Sequence, residues 1–78
     1  MVGYVNLKIS DIDFFCRDVN TFKSDVNAGE GHRVIDAKSL LSLLTLDLSK
    51  PVKIEVITED KYEIDAFKDL LRRYKGEE

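Results

Sequence analysis

Scarcity is the first informative property of this 78-residue chain: it has no tryptophan and a single cysteine, histidine, proline and methionine. One thiol, Cys16, cannot form an internal disulfide, and with His32 distant in sequence it cannot build a zinc site. A reducing, cytoplasmic setting is expected. No apolar run approaches the roughly 18 residues of a membrane span. The opening Met-Val-Gly-Tyr-Val-Asn-Leu-Lys has no basic leader followed by an apolar core, so neither a membrane contact nor a secretory signal is expected. A net charge of −3 without a basic block argues against nucleic acid. Arg72, Arg73 and Lys75 are the one basic group, and they suit the C-terminal end of a helix. A chain this small buries only a little over half of its unfolded surface, so one two-layer core is expected and a deep substrate cavity is not. Catalysis, a cofactor and a metal centre are therefore not expected.

The apolar pattern divides the chain into seven elements. Val5, Leu7 and Ile9 alternate with Tyr4, Asn6 and Lys8, which predicts a strand over Tyr4–Ile9. Ser10 and Asp13 form a capping-box-like pair before a helix whose stripe is Ile12, Phe15, Cys16, Val19 and Phe22. Cys16 in that stripe reads as a buried, unreactive thiol. Phe14 lies off it, so it is either folded over the sheet end or offered to a partner. Asp25–Ala28 reads as a second strand and Gly29-Glu30-Gly31 as a three-residue hairpin connection, with a third strand over His32–Ile35. His32 sits on the hairpin rim with no second ligand or orienting carboxylate at a suitable spacing, and reads as an ordinary exposed imidazole. Val52, Ile54 and Val56 alternate in a fourth strand after Pro51. A last helix follows, capped by Asp60 with Glu63, and it buries Ile64, Phe67, Leu70, Leu71 and Tyr74. The tail Lys75–Glu78 is expected to fray. Half-apolar strands with amphipathic helices imply an antiparallel sheet solvated on one face, an α+β open-faced two-layer sandwich in a single domain over residues 1–78.

Between the third and fourth strands lies the densest apolar stretch, with leucine at 40, 41, 43, 44, 46 and 48. Read as a helix, positions 40 to 46 cover an arc of roughly 220°, about twice what one core requires. Either another element covers the surplus or it is a docking surface.

Three segments carry a family resemblance: Phe22-Lys-Ser-Asp-Val-Asn-Ala, then Val34 through Leu48 with its Ala37-Lys38-Ser39 entry to the leucines, and the Val52–Ile57 strand with its acidic loop and final helix. Together they resemble the HPr family, the small phosphocarriers of the sugar phosphotransferase system. The resemblance implies β-α-β-β-α-β-α with sheet order 1-4-2-3 and three helices on one face. It also implies a phosphorylatable histidine in a Gly-Leu-His-x-Arg-Pro segment before the first helix. Here that place holds Ser10-Asp11-Ile12-Asp13-Phe14-Phe15, shorter by roughly two helical turns' worth of chain. It has no histidine, and Asp11 and Asp13 bring negative charge where a phosphoryl group would sit. Arg17 lies inside the helix and does not match the family arginine; His32 falls on the hairpin. By the same resemblance, Ser39 occupies the position of the serine that a dedicated kinase phosphorylates in many Gram-positive members. As a residue type it is equally suited to be a helix N-cap. Leu40, Leu41 and Leu44 match the family's exposed partner-binding patch, and Leu43 and Leu46 match core positions.

The expected function is a protein-binding regulatory module docking through the second helix to a phosphotransferase-system or regulatory protein, as a monomer or weak homodimer. A phosphocarrier with an unconventional site and a purely oligomerising domain are the alternatives.

Overall fold

The computed structural model describes residues 1–75. Its elements are β1 (Val2–Val5), a 3-10 turn (Ile9–Asp11) running into α1 (Ile12–Val19), β2 (Val26–Glu30), β3 (Arg33–Asp36), α2 (Leu40–Leu43), β4 (Val52–Val56) and α3 (Lys61–Tyr74). All strand pairs are antiparallel, in the order β1-β4-β2-β3. This is the α+β open-faced sandwich expected from the half-apolar strands. β4 shows why it has two layers: Val52, Ile54 and Val56 are completely buried while Lys53, between them, is exposed. Against that buried face pack Phe15 and Val19 of α1, Leu43 of α2, and Phe67 and Leu70 of α3. Leu71 and Tyr74 cover the edge of the core, and Ile64 is only half-buried.

β1 is shorter than its alternation predicts. Its last ladder pair is Val5↔Val52, a bonded pair, so the N–H of the next residue, Asn6, points away from β4. The chain therefore turns to α3: the Asn6 N–H donates to the Tyr74 carbonyl at 2.7 Å, and the Asn6 side-chain amide donates to the Lys75 carbonyl. Leu7 still reaches the core, whereas Ile9 is 70% exposed in the 3-10 turn, contrary to its expected place on the buried face. The Ser10–Asp13 cap is not made. Lys8 and Asp11 reciprocate instead, with the Lys8 N–H donating to the Asp11 carboxylate at 2.9 Å and the Asp11 N–H to the Lys8 carbonyl at 2.8 Å.

The hairpin is also tighter than expected. Gly29 and Glu30 stay in the ladder, opposite Val34 and Arg33, and the turn is Gly31-His32. Gly31 has φ 58°, the conformation glycine adopts without steric cost, and a Cβ there would meet nothing within 4 Å. Conformation, not space, requires this glycine.

α2, Leu40–Leu43, is one turn of α-helix where the leucine spacing predicts a helix to Leu46. Its continuation tightens into i→i−3 bonds, from Thr45 N–H to the Ser42 carbonyl at 3.1 Å and from Leu46 N–H to the Leu43 carbonyl at 3.2 Å. The hairpin competes for the next groups. Arg33 donates to the Thr45 carbonyl at 3.0 Å, and the Glu30 carboxylate accepts the Asp47 N–H at 2.9 Å. These contacts satisfy the orphan groups of the helix end and draw the chain away from the axis.

α3 is capped by Asp60, whose carboxylate accepts the Tyr62 N–H at 2.8 Å. Glu63 does not complete a capping box. It reaches the loop after α1, accepting the Lys23 N–H at 2.6 Å and the Ser24 hydroxyl, which holds its pKa below the ordinary carboxylate range. Of the tail expected to fray, residues 76–78 lie outside the described residues.

The other end of α3 is tied to α1. Tyr74 packs edge-on against Phe15, with ring centroids 5.1 Å apart, and its hydroxyl donates to Asp18 at 2.7 Å. Arg73 meets the same carboxylate at 3.0 Å. Burial first, then the bond to Asp18 and its charge, push the Tyr74 pKa up to about 12, from 10.0. A phenol harder to ionise folded than unfolded contributes its full stability below the unfolded value and loses it as the pH rises through the folded one. Tyr74→Phe is expected to cost about 1–2 kcal/mol near neutral pH. It should also abolish the extra loss of stability between about pH 10 and pH 12. Urea unfolding of both proteins across that range checks both effects.

Candidate functional site

The candidate site is the outer face of α2, and the segment leading into it is fixed before the helix begins. The Asp36 carboxylate accepts the Lys38 N–H at 2.9 Å, and the Asp36 carbonyl accepts the Ser39 N–H at 3.1 Å. Lys38 turns inward, its ammonium donating to the Phe22 carbonyl at 2.7 Å. Its own carbonyl accepts the Asn20 side-chain amide at 3.1 Å and the Cys16 thiol at 3.5 Å. Cys16 is buried, and burial together with the nearby Asp13 charge pushes its pKa up, which disfavours the reactive thiolate.

Ser39 is the N-cap of α2. Its hydroxyl oxygen accepts the Ser42 N–H at 3.3 Å while the side chain stays half-buried. The leucines then separate by face. Leu43 is fully buried and Leu46 is 8% exposed, whereas Leu41 is 79%, Leu44 48% and Leu40 40% exposed. The surplus arc has no cover in this structure. Phe14, 61% exposed on α1, is not folded over the sheet end, and the Arg17 guanidinium lies 5.9 Å from its ring centroid. Ile9 is a further exposed apolar group, although the alternation assigns it to the core; its signal is Lys8-x-x-Asp11, the turn that takes Ile9 out of the strand.

The start of α1 has a different chemistry. Asp11 is bonded to the Lys8 N–H, and Asp13 pairs with Arg17 at 2.9 Å. His32 stands away from both, exposed on the β2–β3 turn. Among the described residues no cluster of side chains could hold a metal ion. No helix is long and apolar enough to cross a membrane among them.

A family model described as PTS HPr component phosphorylation site matches residues 11–74. The chain belongs to the HPr family. Proteins of this family are phosphocarriers and regulators rather than enzymes, and they interact with phosphotransferase-system or regulatory proteins. Two solved structures share the HPr fold with it. HPr-C-His from Thermoanaerobacter tengcongensis superposes with a TM-score of 0.73 at 24% identity, over 100% of this chain and 96% of that one. Crh, the catabolite repression protein of Bacillus subtilis, crystallised as a swapped dimer, superposes with a TM-score of 0.70 at 24% identity, over 97% of this chain and 87% of that one. No curated protein sequence matches the chain. Within this HPr-family protein, the turn between β1 and α1 presents aspartates and no imidazole, and α2 presents leucines.

Proposed function

We propose that this HPr-family protein is a regulatory, protein-binding member that does not carry phosphate on histidine and that docks through α2 onto a phosphotransferase-system or regulatory protein in the cytoplasm. The observation that carries the reading is the division of α2, with Leu43 fully buried and Leu41 79% exposed on the same short helix. Contiguous exposed aliphatic side chains are costly to leave in water and mark interaction sites. The start of α1 supports the other half: Asp11 and Asp13 occupy the place where a phosphohistidine would need cations and free N–H groups. Ser39 is the regulatory residue in this reading. A phosphate there adds about −1.5 to −2 charge next to Leu40, and would alter docking by charge and desolvation.

Phosphorylation assays separate these points. Incubation with phosphoenolpyruvate and the histidine-phosphorylating enzyme of the phosphotransferase system is expected to leave the intact mass unchanged. A stoichiometric, acid-labile gain of one phosphate would restore the carrier reading. Treatment with the serine kinase of this system and ATP is expected to add one acid-stable phosphate to the peptide containing Ser39; an unmodified peptide removes Ser39 from the proposal. The docking itself is tested by capture from the native cytoplasm with wild type and Leu41→Asp side by side. A dimer built on the same leucines is the second reading, favoured by the swapped dimer of the Crh neighbour.

A further inference from the structure

β1 is paired on one side only, by β4. β1 ends the sheet, and Met1 and Val56 exchange both backbone hydrogen bonds, at 2.9 and 3.0 Å. Bonded and unbonded pairs alternate in an antiparallel ladder, so Gly3↔Ile54 and Val5↔Val52 are bonded pairs. Val2 and Tyr4 therefore direct their N–H and C=O groups away from β4, and among the described residues neither finds another backbone partner. Natural edges are guarded by charges, prolines or bulges. Val2-Gly3-Tyr4-Val5 has no charge or proline, whereas the opposite edge, β3, carries Arg33 and Asp36.

Alongside this edge runs an open groove of about 590 Å³ where Tyr4, Pro51 and Leu71 supply apolar surface and Lys68, Arg72 and Lys75 the charge. All the charged lining residues are cations, in a chain of net charge −3. Arg72 pairs through one nitrogen with Asp69 at 2.5 Å, an exposed contact that leaves its other nitrogens to a ligand. Lys68 is exposed and makes no ion pair among the described residues. α3 runs along β1 in the same direction: Leu71 lies against Gly3, and the Tyr74 carbonyl meets Asn6. One helical turn, from Lys68 to Arg72, advances about 6 Å. Two residues of an added strand advance about 6.6 Å, so every second side chain of that strand would meet a cation in turn.

We propose that the β1 edge takes up an extended acidic segment of a partner protein as an added strand, with carboxylates at alternate positions facing Lys68 and Arg72. The main-chain groups of Val2 and Tyr4 supply the binding, and the α3 cations select the sequence. The probe is the peptide acetyl-Val-Glu-Val-Glu-Val-Glu-amide, followed through the backbone amide resonances of the full chain. The expected result is saturable shifts and slowed hydrogen exchange at Val2 and Tyr4. Affinity should fall about tenfold or more in Lys68→Glu/Arg72→Glu, whose exposed positions keep the fold, as unchanged resonances in β2 and α1 would show. The same peptide N-methylated at alternate bonds should not bind. Equal binding of the N-methylated peptide would reduce the site to charge attraction and overturn the proposal. So would the absence of binding, or light scattering at twice the monomer mass without peptide in both wild type and Leu41→Asp, which would place a second copy on the edge rather than on the α2 leucines.

Discussion

Phe15→Ala is expected to remove about 3–5 kcal/mol of folding stability, the usual cost of emptying a fully buried aromatic site. Phe15 is completely inaccessible and joins α1 to α3 through its edge-on contact with Tyr74. Such ring pairs contribute about 0.5–1.5 kcal/mol beyond buried area. For a domain of this size total stability is roughly 4–12 kcal/mol, so the substitution removes a large share of it. The neighbouring Phe14 supplies the control: at 61% exposed, its replacement by alanine should change stability by about 0.5 kcal/mol or less. Urea unfolding reads both, as a large shift in midpoint for Phe15→Ala with the slope retained and almost none for Phe14→Ala. Comparable losses at the two positions would mean that α1 is rotated from the orientation described here.

That contrast also shows which parts of the fold could be read from residue order. Phe14 and Phe15 separate on helical period alone, and β4 alternates without exception, because in both elements one face meets a single core. The errors lie where a distant residue decides a boundary. β1 stops where β4 reaches Pro51, more than forty positions away in sequence, and the alternation of Asn6–Ile9 does not announce it, since an extended chain outside a ladder alternates just as well; the one local signal is Lys8-x-x-Asp11. Two glycines flank Glu30, and only the register shows which one turns the chain. Gly31 takes the positive φ, while at Gly29 a Cβ would lie 3.0 Å from the Arg33 carbonyl oxygen, a tight contact that a small shift of the ladder would have to relieve. The Asp60-x-x-Glu63 spacing assigns Glu63 to its own helix end, whereas it fastens the loop at Lys23 and Ser24. Asp18, which gathers Arg73 and Tyr74, had no local signal. At the site, the partition of the leucines survived the shortening of α2 because a tightened turn still sends successive side chains to different sides.

Leu41→Asp is expected to abolish partner capture while leaving the protein folded. With 79% of its surface already in water, Leu41 contributes little to the core, and a charge there should alter stability by about 0.5 kcal/mol or less. In a docked complex the same carboxylate would be desolvated against an apolar pocket. A central interface leucine replaced in this way should cost about 2–4 kcal/mol, or about 30- to 700-fold in affinity. Leu43→Asp, two residues away, is the opposite case: its side chain has no exposed surface and lies within the apolar core, so the charge should unfold the protein. The pair thus distinguishes a binding defect from a folding defect. Capture of the same partner in equal yield by Leu41→Asp would sink the α2 docking reading even if the fold is intact. Light scattering at two concentrations decides between that reading and its rival, because a wild-type dimer that Leu41→Asp converts to monomer would assign the leucine face to a second copy of the chain. A wild-type monomer at both concentrations, with capture lost in Leu41→Asp, leaves the face to a different protein, which is the outcome that three outward leucines on an otherwise well-covered core predict.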